Sequence, residues 1–494
     1  MNRRTFFSQS MTRLIGLFLA IMLAVVLTLE TGDTATSAYT GSQAPPIDVA
    51  PMLQSCSPTN VTGIIDIDTT WNQACSPYIL NGNVSIQSGV VLTIEPGVVI
   101  QYAGAYELLV KGAIVANGTV GAPITFTTGG APSGATLLRF ADTSVTASQL
   151  SYLKLEYATQ GIVLGGSTTG TLTVSNVEVN NTGLRTDGSG STLLLSQATI
   201  TGSTVKGSYA YGGPIVIQAS TISNTQLTSD NYAQGITIQN STVTNSPFTL
   251  GCCGAKIRIE NSTVSASSVQ GCCGSPVNGP LEIIGSQIIN TPIDVPAASL
   301  TMLSSTLQCN GGTGLKFGNG TIGGSSVIGN ESGVGVEITG LVGYNIGGSV
   351  TITTTTIMRH GVGLKVSGAN VVTAQNNNLT QNTSYHIENR TAQNIAASNN
   401  YWGTTDAAQI AASIFDYYDD INYGKVEYSN SLTSPNTAAQ ISPPKNVTKS
   451  SAGSGVQLRW SANPEPDVAG YKVYYGALTG YSFANVADVG NVTS

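Results

Sequence analysis

Along the middle of the chain, one apolar residue preceded by small polar ones returns at a nearly fixed interval. It falls at Val177, Ile200, Ile222, Val243, Val264, Ile288, Leu307, Val327, Ile357 and Leu379. The steps are 23, 22, 21, 21, 24, 19, 20, 30 and 22 residues. Each period holds three short runs that alternate apolar and polar, as in "IRI" (257–259), "STV" (262–264) and "SSV" (267–269). Alternation of period two marks strands buried on one side. Three strands and three turns in about 22 residues describe one rung of a right-handed parallel β-helix. No period contains the long amphipathic segment that a helical or leucine-rich solenoid requires.

Composition agrees with an all-β chain. Only 9% of the 494 residues are charged and 57 are Gly, with Ser, Thr, Asn, Val and Ile abundant. That mix favours strands and turns over helices. The net charge of −7 comes with no basic block, which excludes a nucleic-acid partner. At the N-terminus, Arg3, Arg4 and Arg13 precede the mostly apolar 14–29, and small residues follow to 38. Residues 1–38 therefore read as an export signal peptide. The run is short for a membrane span, which needs about 20 residues. After cleavage no membrane attachment is expected, although retention as an anchor stays open. "NRRTFF" (2–7) also resembles a twin-arginine export motif. The predicted location is secreted or cell-surface, where disulfides persist.

Two positions after the repeated apolar residue stand Asn224, Asn245 and Asn290. Asparagine tolerates left-handed backbone, and stacked amides can bond from rung to rung. These residues resemble the asparagine ladder of the pectate-lyase-like β-helix superfamily, with Cys309 in the same slot one rung later. The pattern at 89–128, with "ELLVKGAIVANGT" and "APITFTT", resembles the opening rungs of secreted bacterial β-helix proteins, and "NNYWG" (399–403) their closing rung. The resemblance implies a solenoid over 80–430 and is nearly silent on activity. Residues 39–79 read as its N-terminal cap and 431–442 as a Ser/Pro/Thr linker. Residues 443–494 resemble the first half of a fibronectin type III domain, with Trp460 in its second strand and "DVAGYKVYY" (467–475) as its third. Such a domain needs about 90 residues, so the later strands of the sandwich are expected to be missing from this sequence.

Aligned rungs give an outward column: Arg185, Lys206, Thr228, Thr249, Gln270, Asp294, Lys316, Glu337, Lys365 and His386. From Asp294 onward the sign alternates, as a charge-matched surface would. Asp294, Lys316, Glu337, Lys365 and His386 are the candidate ligand face. Members of the superfamily that act on polysaccharides use acidic calcium clusters with an Arg or Lys base, or closely spaced aspartates. Residues 176–400 hold nine acids and eight Lys or Arg, with no Asp-Asp pair. No catalytic residue, metal ligand or cofactor is therefore assigned. The expected function is a monomeric, non-catalytic glycan-binding or adhesive protein with a polysaccharide partner. The alternative is a polysaccharide lyase or glycoside hydrolase working along the same face. His360 and the acidic "DYYDD" (416–420) read as structural and as a solvated turn.

Of seven cysteines, four stand in two Gly-Cys-Cys-Gly runs at 251–254 and 271–274. Both follow the column strand on neighbouring rungs, so Cys252 or Cys253 is expected to bridge to Cys272 or Cys273. Cys56 and Cys75 are expected to form a disulfide at the N-terminal end, contributing roughly 3 kcal/mol. Cys309 is left as a free thiol.

Overall fold

The computed structural model describes Cys56 and residues 58–494. Excepted are 131–133, 142–144, 189, 208–211, 231, 252–253, 272–277, 341–347, 369, 442–443, 454, 464–467 and 480–481. The predicted signal peptide and the four Gly-Cys-Cys-Gly cysteines lie outside the described residues.

Among the described residues forty-one strands join in one hydrogen-bonded sheet, coiled as a parallel β-solenoid of about 14 turns with about 22 residues per turn. Each strand pairs with its counterpart one rung away. Thr199–Thr201 lies on Thr221–Ser223, and that strand lies on Thr242–Thr244. Thr204–Gly207 lies on Gln226–Ser229 in the same way. The repeated apolar residues Ile200, Ile222, Val243, Val264 and Ile288 all reach 0% exposure, stacked along the interior. Each such side chain contributes about 1.5–3 kcal/mol by leaving water. The segment read as a cap already carries rung strands: Thr59–Ile65 pairs with Tyr78–Ile86, and Thr69–Trp71 with Val91–Ile94. Cys56 and Cys75 are disulfide-bonded there, with Cα atoms 4.7 Å apart.

Two corners of the middle rungs are built alike. At one, Asn181, Asn224, Asn245 and Asn290 take φ between 48° and 50°, the left-handed region that Asn tolerates best among side-chain-bearing residues. Asn245 Nδ2 donates to Asn224 Oδ1 at 2.6 Å, but Ala266 and Gly202 interrupt the amide stack. The continuous ladder sits one residue later and is made of hydroxyls. Thr182 N–H donates to Ser203 Oγ, Ser203 N–H to Thr225 Oγ1, Thr225 N–H to Ser246 Oγ and Ser246 N–H to Ser267 Oγ, all within 2.9–3.3 Å. A second ladder follows the other corner through Ser220, Ser241, Ser262, Ser286, Ser305 and Ser325 at 3.1–3.2 Å. Each hydroxyl also donates back to the carbonyl two residues earlier, as Ser241 does to Gln239 at 2.7 Å. Near the closing rungs Asn377 and Asn400 take over the hydroxyl's place.

Cys309 occupies the corner slot after Asn290, buried and unbridged; burial pushes its thiol up to about 12. The short helix Ala407–Ala412 is capped by Asp406, whose carboxylate accepts from Ala408 and Gln409 N–H. It stops earlier than 416, because Ile414–Phe415 returns to strand pairing. The stretch read as a linker is anchored along the solenoid. Asn436 N–H donates to Asn378 Oδ1 at 2.8 Å, and Gln440 bonds Thr306 at 3.0 Å. Beyond it, Lys445–Ala452 pairs antiparallel with Gly455–Ser461, and Tyr471–Thr479 with Ser482–Gly490.

Ser241→Ala strips the acceptor from a buried N–H and is expected to cost about 1–3 kcal/mol. Thr242→Ser, at an exposed position on the adjoining strand, should stay within about 0.5 kcal/mol. Urea unfolding of both variants measures the difference.

Candidate functional site

The outward column forms as the period requires. Arg185 pairs with Lys206, Lys206 with Thr228, Thr228 with Thr249, Thr249 with Gln270 and Gln270 with Asp294. Asp294 then faces Lys316, Lys316 faces Glu337 and Glu337 faces Lys365. The last step differs from expectation. Lys365 pairs with Glu388, while His386 stands beside Gly363's register position and is buried. From Ile357 to Lys365 is eight residues and from its register partner Leu379 to Glu388 nine, so His386, seven after Leu379, falls two residues short of the column. With Glu388 the sign alternates through five residues. The charges are tied locally: Lys316 lies 4.0 Å from Asp294, and Arg390 lies 2.5 Å from Glu388. On the neighbouring strand series Arg258 reaches Glu282 at 2.7 Å and Glu260 at 3.1 Å, and Lys256 reaches Glu282 at 3.3 Å. Of the nine acids between 176 and 400, eight lie within 4.0 Å of a cation, and Glu337 is the exception. Among the described residues no three of His, Cys, Asp or Glu gather as a metal-holding group.

The column runs into aromatic residues. Glu388 faces Phe415, and the Arg390 guanidinium lies 3.8 Å above the Phe415 ring and 5.5 Å from Tyr423. The loop that follows is a surface turn whose first carboxylate turns inward. Asp416 is buried; its carboxylate accepts from Tyr418 N–H at 3.0 Å and Val426 N–H at 2.8 Å. Asp420 accepts from both nitrogens of Asn422. This framework holds Tyr417 and Tyr418 in water, 40% and 77% exposed, with Ile421 beside them at 78%. The two rings meet edge to face at 5.6 Å, and Lys425 Nζ sits 5.1 and 5.3 Å from them. Asn394, Glu427 and Asn422 border the same shallow depression. Two adjacent tyrosines carry no periodicity, so the sequence pattern gave no sign of this platform.

His386 belongs to a different place. With Tyr401, Trp402, Thr380 and Gln409 it lines a cleft of about 460 Å³ at the closing rungs. Its Nδ1 accepts from Asn382 at 3.1 Å, and Trp402 stacks obliquely at 6.2 Å. Burial pushes its pKa down to about 4, partly opposed by a bond to the Trp402 backbone. The unfolded chain, with an ordinary value near 6.5, binds a proton that the folded imidazole refuses. Between pH 6.5 and 4 this group therefore removes stability as pH falls, by roughly 3 kcal/mol at the acid end. His386→Gln should flatten the stability profile in that window, read as urea midpoints at a series of pH values.

No known family model matches the sequence, and no curated protein matches it either. Some solved structures align weakly with it. The tailspike protein of E. coli bacteriophage HK620, a mutant in complex with a hexasaccharide, is similar with 14% identity and a TM-score of 0.27, over 85% of this chain and 80% of that one. A second mutant of it, in complex with a pentasaccharide, aligns at 12% identity and a TM-score of 0.23, over 85% and 80%. A PL6 alginate lyase in complex with a trisaccharide aligns at 11% identity and 0.24, over 82% of this chain and 92% of that one. At these TM-scores the likenesses carry no inference for this chain.

Proposed function

We propose that this chain is an exported, secreted or surface-held, non-catalytic β-helix protein that binds polysaccharide along the column face, anchored at the Tyr417–Tyr418 platform. In this reading the solenoid is pectate-lyase-like, and the C-terminal hairpins are fibronectin type III-like and act as a spacer. Trp460 against Tyr471, ring centroids 5.2 Å apart, suits that assignment. The carrying observation is the platform. A loop hydrogen-bonded from inside by Asp416 holds two tyrosines outward against the tendency of large aromatics to be covered. A pyranose offers an apolar C–H face for such rings and hydroxyls for bordering amides and carboxylates. The ion pairing of eight of nine acids weighs against the lyase or hydrolase reading. A carboxylate already matched to a cation is poorly placed to gather calcium or take a substrate proton.

A polysaccharide panel scored for both retention and product release tests this. Tyr417→Ala with Tyr418→Ala should weaken retention at least tenfold, while Lys316→Ala and Glu337→Ala stay within a few-fold of the parent. Product release, or a hundredfold loss in either charge variant, would move the assignment to an enzyme.

A further inference from the structure

The cleft that holds His386 is distinct from the column face in its residues and in its chemistry. One wall is the strand Asn378–Thr380, whose outward side chains would meet water on an ordinary rung. A second is Tyr401 to Thr404, and a third is the start of the capped helix with Gln409. The anchored stretch closes the remaining side with Pro435. Asn436 fixes that stretch: its N–H donates to Asn378 Oδ1, and Asn378 Nδ2 donates to its carbonyl at 3.2 Å. The cleft is thus assembled by four parts of the chain that come together at the closing rungs.

Its lining is polar but carries no formal charge. Asn378 is consumed in holding Asn436. Thr380, Gln381, Tyr401 and Gln409 have side-chain groups with no hydrogen-bond partner among the described residues. They offer two amides and two hydroxyls, each able to donate and accept. Met358, Tyr401 and Trp402 supply apolar surface between them. The volume falls within the range of pockets that enclose small ligands, about 300–1,000 Å³. Hydroxyl-rich ligands match such a wall, since each hydroxyl is donor and acceptor at once. A carboxylate or ammonium would lose hydration here with no opposite charge to meet it.

We propose that this cleft is a second binding site, for a single uncharged sugar unit presented end-on, with Gln381 and Gln409 reading its hydroxyls. The inference rests on the glycan-binding reading only for the polymer that would carry such a unit. The site can be tested alone.

The probes are methyl glycosides of neutral hexoses and the methyl glycosides of the matching uronic acids. Binding is followed on the full chain by calorimetry and by tryptophan fluorescence, because Trp402 forms part of the wall. At least one neutral glycoside should bind, with its uronic counterpart tenfold or more weaker. Gln381→Ala combined with Gln409→Ala should weaken binding tenfold or more, and Tyr417→Ala with Tyr418→Ala should leave it unchanged. Thermal melting of the glutamine variant controls for folding; both positions are exposed, so the melting midpoint should match the parent. Should no neutral glycoside bind, or should binding survive the glutamine changes, the proposal is overturned. Retention of polymer that depends on the tyrosines would still stand in that case. Glycoside binding without any polymer retention would support this site and sink the polysaccharide reading instead.

Discussion

Everything in this molecule hangs on how a rung turns its corner. A strand of three or four residues must bend sharply to remain in a 22-residue coil, and a residue with φ near +50° makes that bend. The bend aims the next N–H along the solenoid axis, away from its own rung. In a buried position that donor must find an acceptor or cost about 1–3 kcal/mol. Here the acceptor is a Ser or Thr hydroxyl of the neighbouring rung, which returns its own proton to a carbonyl two residues back. One small side chain therefore closes two open valences and fixes the rung's register. A rung slipped by one residue would lose every such bond and turn its Ile and Val outward. Stacking of this kind is nearest-neighbour, so stability accumulates rung by rung.

That constraint explains what the sequence made legible. The interior period was visible because the ladder tolerates almost no length variation from Ile200 to Val264; one rung earlier the partner of Ile200 is Val179, two residues after the Val177 that the period pointed to. The Asn residues were visible too, since they are the left-handed residues themselves; Asn224 and Asn245 bond as expected. The hydroxyl ladder was hidden behind them. Ser and Thr are so common in this chain that a column of them carries no contrast. His386 was misplaced for a related reason. From Val264 to Gln270 the corner uses six positions, whereas from Leu379 to Glu388 it uses nine. Once corners lengthen, a fixed offset no longer tracks which face a side chain takes.

The same lengthening frees side chains for other work. In the regular rungs each corner position is committed: left-handed residue, hydroxyl, then strand. Only the outward strand positions remain variable, and there a parallel stack brings like charges about 4.8 Å apart unless signs alternate. The run from Asp294 to Glu388 satisfies that requirement, although within it only Asp294 and Lys316 come within 4.0 Å of each other and Glu388 pairs with Arg390, just beyond its own strand. Surface pairs of this type are worth little, on the order of 0–1 kcal/mol each. They prevent repulsion more than they stabilise.

At the closing end the repeating demand lapses, because no further rung must be matched. There the chain uses a buried carboxylate, Asp416, instead of a hydroxyl to satisfy backbone donors, and amides of Asn377 and Asn400 extend the ladder. Larger, better-positioned side chains become affordable where the neighbour is a loop and not a rung. Tyr417, Tyr418, Trp402, Gln409 and His386 all gather within this last part of the chain. A solenoid thus separates its tasks by position along the sequence. Its middle is bound to small residues by the geometry of the corner, and large side chains concentrate where that geometry ends.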